Sequence, residues 1–166
     1  MDNHDHDHDG HDCDMCNGKM TLDALKEREI EMTKKYGFFS HYVSDPSCRY
    51  VNYHTHGFRK TWEHDDLQIV IPLPPNVANN LFWTFADRVK AGERFASDTR
   101  VDKIVHGHQV ILKKAKEGDR DVLRIILPDK NGRFPEDPGV DRYFGMQETA
   151  DLVDPILFGG NVGENN

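Results

Sequence analysis

The chain has 166 residues, 37% hydrophobic and 30% charged, with 29 acidic against 21 basic side chains and a formal net charge of −8. That length suits one globular domain, which buries roughly 68–70% of its unfolded surface and needs no staples to fold. No apolar run approaches the ~20 residues of a membrane span, and no basic-then-apolar secretory signal opens the chain, so neither a membrane protein nor a secreted mini-protein is expected.

Residues 1–19 read as a low-complexity head in which His and Asp alternate. Six aspartates fall within residues 1–16, where there is no Lys or Arg, while the rest is nearly balanced with 23 acidic and 21 basic residues. A near-neutral body argues against a nucleic-acid partner, which would select a basic face. The head lacks the apolar side chains to offset its ordering entropy unless something binds it. His4, His6, His8 and His11 offer imidazoles between carboxylates, a donor set that suits nickel, zinc or copper; an unstructured tail explains the same composition. Cys13-Asp14-Met15-Cys16 places two thiolates within reach of one tetrahedral ion. There is no second such pair, so an ion there must draw histidines or carboxylates from elsewhere; two ordinary thiols on an arm is the competing reading. With Cys48 the thiols number three, too few for a disulfide framework, and the expected compartment is a reducing cytoplasm.

Thr21 is a helix cap, and Leu22, Leu25, Met32 and Tyr36 fall at helical spacing before Gly37 ends the helix. Ile30 lies off that stripe. Strands are predicted over residues 38–43 and 50–57, separated by Ser44-Asp45-Pro46-Ser47. The alternation of Leu67, Ile69, Ile71 and Leu73 predicts a buried strand over 67–73. Pro74-Pro75 then opens the strongest helix, with Val77, Leu81, Phe85 and Val89 recurring every four residues and Gly92 as its stop. Further strands are predicted over 93–96, 103–105, 109–114 and 122–127, with a hairpin turn at Gly107 and a tight turn over 128–132. These elements predict one α+β domain over residues 20–157, with a mostly antiparallel sheet and two principal helices. The Gly- and Asn-rich residues 158–166 read as a fraying tail.

His54-Thr55-His56 ends a predicted strand, so both imidazoles point to one face, where they could chelate a metal or contact an anion. Arg59, Lys60, Trp62, Glu63 and His64 crowd the loop that follows, and loops held by a rigid sheet commonly carry function. A polar strand end and a solvated loop explain the same residues. Glu136, Asp137 and Asp141 read best as surface ion-pair partners. No nucleophile elbow, zincin helix or phosphate loop is present.

Several of these pieces, taken together, resemble the bacterial domain-of-unknown-function family 4262, over roughly residues 13–150. They are Cys-x-x-Cys-Asn-Gly at 13–18, His64-Asp-Asp-Leu, Pro-Pro-Asn-Val-Ala from Pro74, Ala91-Gly-Glu-Arg-Phe95, and the block from Leu127 to Asp141 with Gln147 beyond it. Where this chain has His54-Thr55-His56-Gly57-Phe58, the family tends to read Tyr-Thr-x-Gly-Leu, so the imidazoles at 54 and 56 look like additions of this protein. The resemblance implies a domain extent rather than an activity, and it sets Cys13, Cys16 and His64 in matching positions.

The leading expectation is therefore a metal site at which Cys13 and Cys16 fold back to share zinc, or a similar divalent transition metal, with His64 and one of His54 or His56. Such an ion would pin the arm to the sheet by coupling binding to ordering, and with an open position it would support hydrolysis. The alternative is a metal-free interaction or immunity-type module, in which the acidic head engages a basic protein partner.

Overall fold

A computed structural model describes residues 21–47 and 49–152. Helix α1 (Leu22–Tyr36) begins at Thr21, whose hydroxyl accepts from the Ala24 N–H at 3.2 Å, and ends at Gly37 with φ 89° and its N–H on the Thr33 carbonyl. Both ends follow the sequence: a threonine cap takes one orphan donor, and a glycine supplies the left-handed residue. No residue of α1 is buried among the described residues, and Leu22 of its stripe stands exposed, as does Ile30 off it. The helix meets the body through Tyr36, packed edge-on against Trp83, and through a Glu29–His41 bond.

Strands β1 (Phe39–Ser44) and β2 (Val51–His56) form the first antiparallel pair. Gly57, at φ 113°, turns the chain into a short helix α2 (Phe58–Trp62), where the sequence had suggested only a loop. Strand β3 (Asp66–Ile69) is shorter than the predicted 67–73. Beyond Ile69 the chain leaves the sheet: Pro72 has no N–H for a ladder, and the Leu73 N–H turns back to the Ile71 carbonyl. Helix α3 (Pro75–Lys90) then buries Ala78, Leu81, Phe82, Phe85, Ala86 and Val89. Its exit carries two interlocked bonds, Gly92 N–H to Val89 and Glu93 N–H to Arg88, with Gly92 at φ 100°.

The strand predicted over residues 93–96 is absent. Those residues leave α3 with the Arg88 guanidinium paired to Glu93 and lying over the Phe95 ring, which ties them to the helix instead of to a neighbouring strand. Strand β4 (Thr99–Val105) starts earlier than expected and carries an irregularity between Val101 and Val105, with Lys103 at φ 60°. Gly107 makes the expected hairpin turn into β5 (His108–Glu117), which pairs with β6 (Arg120–Ile126). Helix α4 (Arg142–Gly145) and a 3-10 turn (Ala150–Leu152) close the described chain. The result is the expected α+β domain with two principal helices, and no helix among the described residues is long and apolar enough to cross a membrane.

The six strands lie in the order β1-β2-β3-β6-β5-β4, antiparallel except where β3 runs parallel to β6. Alternation gives the sheet two faces. Val51, Tyr53, Leu67, Ile69, Val110, Leu112, Leu123 and Ile125 join α3 in the main core, where each large side chain contributes roughly 1.5–3 kcal/mol. On the opposite face Ile111, Ile126 and Phe134 make a smaller apolar group. Beside it lies a buried polar stripe made of Asn52, His54, Gln68 and Arg124.

Candidate metal site

The β1–β2 register sets His41 opposite His54 and Phe39 opposite His56, so all four side chains share the face away from α3. Their rings are packed together. His41 lies 4.8 Å from His56 and 5.5 Å from His54 between centroids, His54 lies 5.0 Å from His56, and Phe39 stacks on His56 at 4.9 Å. One donor nitrogen from each of His41, His54 and His56 falls within 4.8 Å of the other two. Donors bonded to one tetrahedral ion lie about 3.4 Å apart, so the three would have to close inward to share one. The Nε2 of His56 is buried with no hydrogen-bond partner among the described residues. A buried orphan costs about 1–3 kcal/mol and calls for an explanation.

Burial is the main reason both inner imidazoles resist protonation. For His54 it outweighs the attraction of Glu117, and His41 and Arg120 add to it, so the pKa falls to about 4. For His56 burial is joined by the charges of Arg120, His54 and His41, and the pKa falls to about 3. Both rings therefore keep a free lone pair throughout the neutral range, the state a metal requires.

Buried hydrogen bonds hold the cluster from behind. The Arg124 guanidinium donates from Nε to Gln68 Oε1 at 2.8 Å, Gln68 Nε2 donates to Asn52 Oδ1 at 3.1 Å, and His54 Nδ1 lies 3.1 Å from that same Asn52 oxygen. The far edge of His54, its Nε2, faces Glu117 Oε1 at 3.5 Å. Glu117 is itself gripped through Oε2 by Arg120, at 2.6 and 2.9 Å, and Arg120 reaches on to Asp66 at 3.0 Å. On the outer side His41 Nε2 meets Glu29 of α1 at 2.6 Å. Both also stand in the wall of a groove of about 500 Å³, which Leu25, Met32, Tyr42 and Phe82 line as well.

Of the residues singled out in the sequence, His54 and His56 come together here. His64 does not join them. Its ring packs between Phe58 and Phe95, its Nδ1 lies 2.7 Å from the Asp65 carbonyl, and its Nε2 accepts the Phe95 N–H at 3.2 Å. Burial, partly offset by that carbonyl bond and by Asp65, keeps it below the usual imidazole range. Cys13 and Cys16 lie outside the described residues, as do Cys48, the head histidines and the tail. Asp137 and Asp141 serve the backbone, accepting from the Phe134 and Tyr143 N–H groups. Sequence reasoning missed His41 and Glu117. Phe39, His41 and Val43 alternate on one face of β1, which was a usable signal for His41; nothing local pointed to Glu117.

A family model described as a domain of unknown function (DUF4262) matches residues 32–141. That span takes in His41, His54, His56, Gln68, Glu117 and Arg124, and leaves α1 mostly outside. No curated protein and no solved structure shows a significant match to the chain.

Proposed function

The chain belongs to the DUF4262 family, and within that domain we propose a site for a divalent transition metal ion held by His41, His54 and His56. The observation that carries the reading is the buried, partnerless Nε2 of His56 beside two further imidazoles. Three clustered imidazoles, one buried and two half-buried, two of them with strongly lowered pKa values, have no packing reason to converge when leucine would fill the space without an orphan. Imidazole donors suit zinc, nickel, copper and iron, and zinc accepts the set without a demand from its d electrons.

His64, with both nitrogens engaged, is left out of the proposed set. Cys13 and Cys16 remain proposed as further donors on the arm that precedes α1, the helix whose Glu29 already touches His41. Hydrolysis would need a coordination position open to water, whose pKa zinc lowers to about 7.

Elemental analysis of the full chain, purified without an affinity column, tests the reading. One tightly held equivalent of a divalent metal is expected. Replacing His54 and His56 together by alanine should remove it and leave only the weakly held metal of the head histidines. Wild-type protein that neither carries a metal nor takes up zinc or cobalt at micromolar concentration would refute the proposal. In the cobalt form, a thiolate charge-transfer band that vanishes in the Cys13→Ser/Cys16→Ser protein would add the arm to the site, and its absence would leave the imidazoles without sulfur.

A further inference from the structure

We propose that His64 is a proton-sensitive latch: in its neutral form it holds residues 93–97 closed over Phe85 and Phe58, and protonation releases them. None of the residues involved is among the proposed metal ligands, so the inference stands apart from the metal reading.

Two backbone groups fix the state of the ring. A carbonyl can only accept a hydrogen bond and an amide N–H can only donate one. The Asp65 carbonyl, 2.7 Å from Nδ1, therefore requires a hydrogen on that nitrogen. The Phe95 N–H, 3.2 Å from Nε2, requires a lone pair there. The imidazole is thus neutral, with its one hydrogen on Nδ1. A proton added to Nε2 would set two N–H groups head to head, and the Phe95 amide would have to leave.

The segment held by this bond can swing between two corners. It leaves α3 at Gly92 and reaches β4 at Asp98, both in the left-handed region, at φ 100° and 61°. A Cβ at Gly92 would meet nothing within 4 Å, so that corner has room to turn. Residues 93–97 form no strand. Phe95 anchors them, its ring edge-on to Phe85 at 5.0 Å and to His64 at 5.7 Å, and His64 in turn meets Phe58 at 6.0 Å. Phe58 and Phe85 are fully buried, so opening would uncover core.

Every element around the ring contributes charge. Asp65 and Asp66, entering β3, favour the imidazolium, and Arg94 of the segment opposes it. Arg59 of α2 is paired with Asp65, and Arg88 of α3, paired with Glu93, lies over Phe95. Burial outweighs the two carboxylates, so the closed ring stays neutral below the usual imidazole range. A released imidazole would titrate near roughly 6.5. Above that pH both forms are neutral and the closed one keeps its full advantage. Below it only the open form takes the proton, so opening gains about tenfold per pH unit until the closed ring titrates too.

Two measurements on the full chain test the latch. With nitrogen-15 histidine, a long-range proton–nitrogen spectrum at neutral pH should place the His64 hydrogen on Nδ1, and a hydrogen on Nε2 would overturn the proposal. Amide exchange of Phe95, corrected for the intrinsic effect of pH, should lose about tenfold protection per unit below pH ~6.5, while β5 and β6 keep theirs. His64→Gln offers an amide oxygen near the place of Nε2 and does not titrate, so Phe95 protection should there become independent of pH. Constant protection in the wild type, a loss shared equally by β5 and β6, or a loss that persists in His64→Gln would each sink the inference. Where the variant does not fold, the wild-type profile decides.

Discussion

The Asp129 carboxylate and the Nε2 of His56 are both buried, and they differ in the donors that meet them. The Asp129 carboxylate accepts the backbone N–H groups of Asn131, Arg133 and Asp141 at 2.8, 3.0 and 3.2 Å and the Arg133 guanidinium at 3.0 Å. Burial alone would raise its pKa, but these donors outweigh burial and hold the group at about 2. The Asp-Lys-Asn-Gly-Arg block is thus a turn wound around one carboxylate, and its specificity is architectural. Because the folded value lies below the roughly 3.9 of an unfolded aspartate, the contribution is complete above that pH and is lost as the pH falls towards about 2. Asp129→Asn should therefore unfold at a lower temperature at pH 7 and show a flatter decline between about pH 4 and 2. Thermal melts across that range decide it, and superimposable curves would refute the assignment. His56 Nε2 has no partner among the described residues, so its burial leaves a cost that the Asp129 turn does not carry.

At the scale of elements, the most constrained junction is the one between β2 and α2. Gly57 sits at φ 113°, and a Cβ there would meet the Gly37 carbonyl oxygen at 2.7 Å and Phe38 Cα at 3.1 Å, both of them backbone. The left-handed conformation alone costs a residue with a side chain roughly 1–2 kcal/mol, and the contact adds to it. Gly57→Ala should lose more than ~2 kcal/mol in urea unfolding, and a change within ~0.5 kcal/mol would show that the junction can shift. Local signals of this kind were what the sequence disclosed well. Thr21 and Gly37 bounded α1, the four-residue recurrence from Val77 to Val89 announced α3, and Gly107 announced a hairpin. Residues 93–96 misled because their bonds run to Arg88 and Arg88 lies over Phe95, contacts that no period records. The site divides in the same way. His54 and His56 were visible because i and i+2 share a face, but their partners arrive by pairing. His41 comes from the β1–β2 register, and Glu117 comes from a hairpin brought alongside by the β3–β6 crossover. His64 looked equivalent in spacing, yet α2 turns it towards Phe58 and Phe95.

For the molecule as a whole, the sheet consists of two antiparallel triplets, β1-β2-β3 and β6-β5-β4, joined by the one parallel pair. That seam has three registered positions, Asp66 with Val122, Leu67 with Leu123 and Gln68 with Arg124, against seven between β5 and β6. Side chains reinforce the short ladder: Arg120 reaches Asp66, Arg124 reaches Gln68, and His54 faces Glu117 from the other triplet. Arg124 is 2% exposed and also donates to the Gln147 carbonyl and to Asp151, so it binds the C-terminal segment onto the same line. Removing one partner from a buried charged network costs about 3–5 kcal/mol, because the groups left behind lose their donors. Set against a total of roughly 5–15 kcal/mol for a domain, that loss is large. Arg124→Leu should therefore unfold at much lower urea, and amide exchange should quicken first in β3 and β6 while the β1–β2 pair keeps its protection. An ion held by His41, His54 and His56 would be backed by the Gln68–Asn52 chain that leads from this seam, and at a hundredfold excess over its dissociation constant it would add about 2.7 kcal/mol to the wild type. In Arg124→Leu that gain should shrink, since the substitution also releases the Gln68–Asn52 chain behind His54. Equal metal-induced shifts in the two proteins would show that the seam and the site are independent.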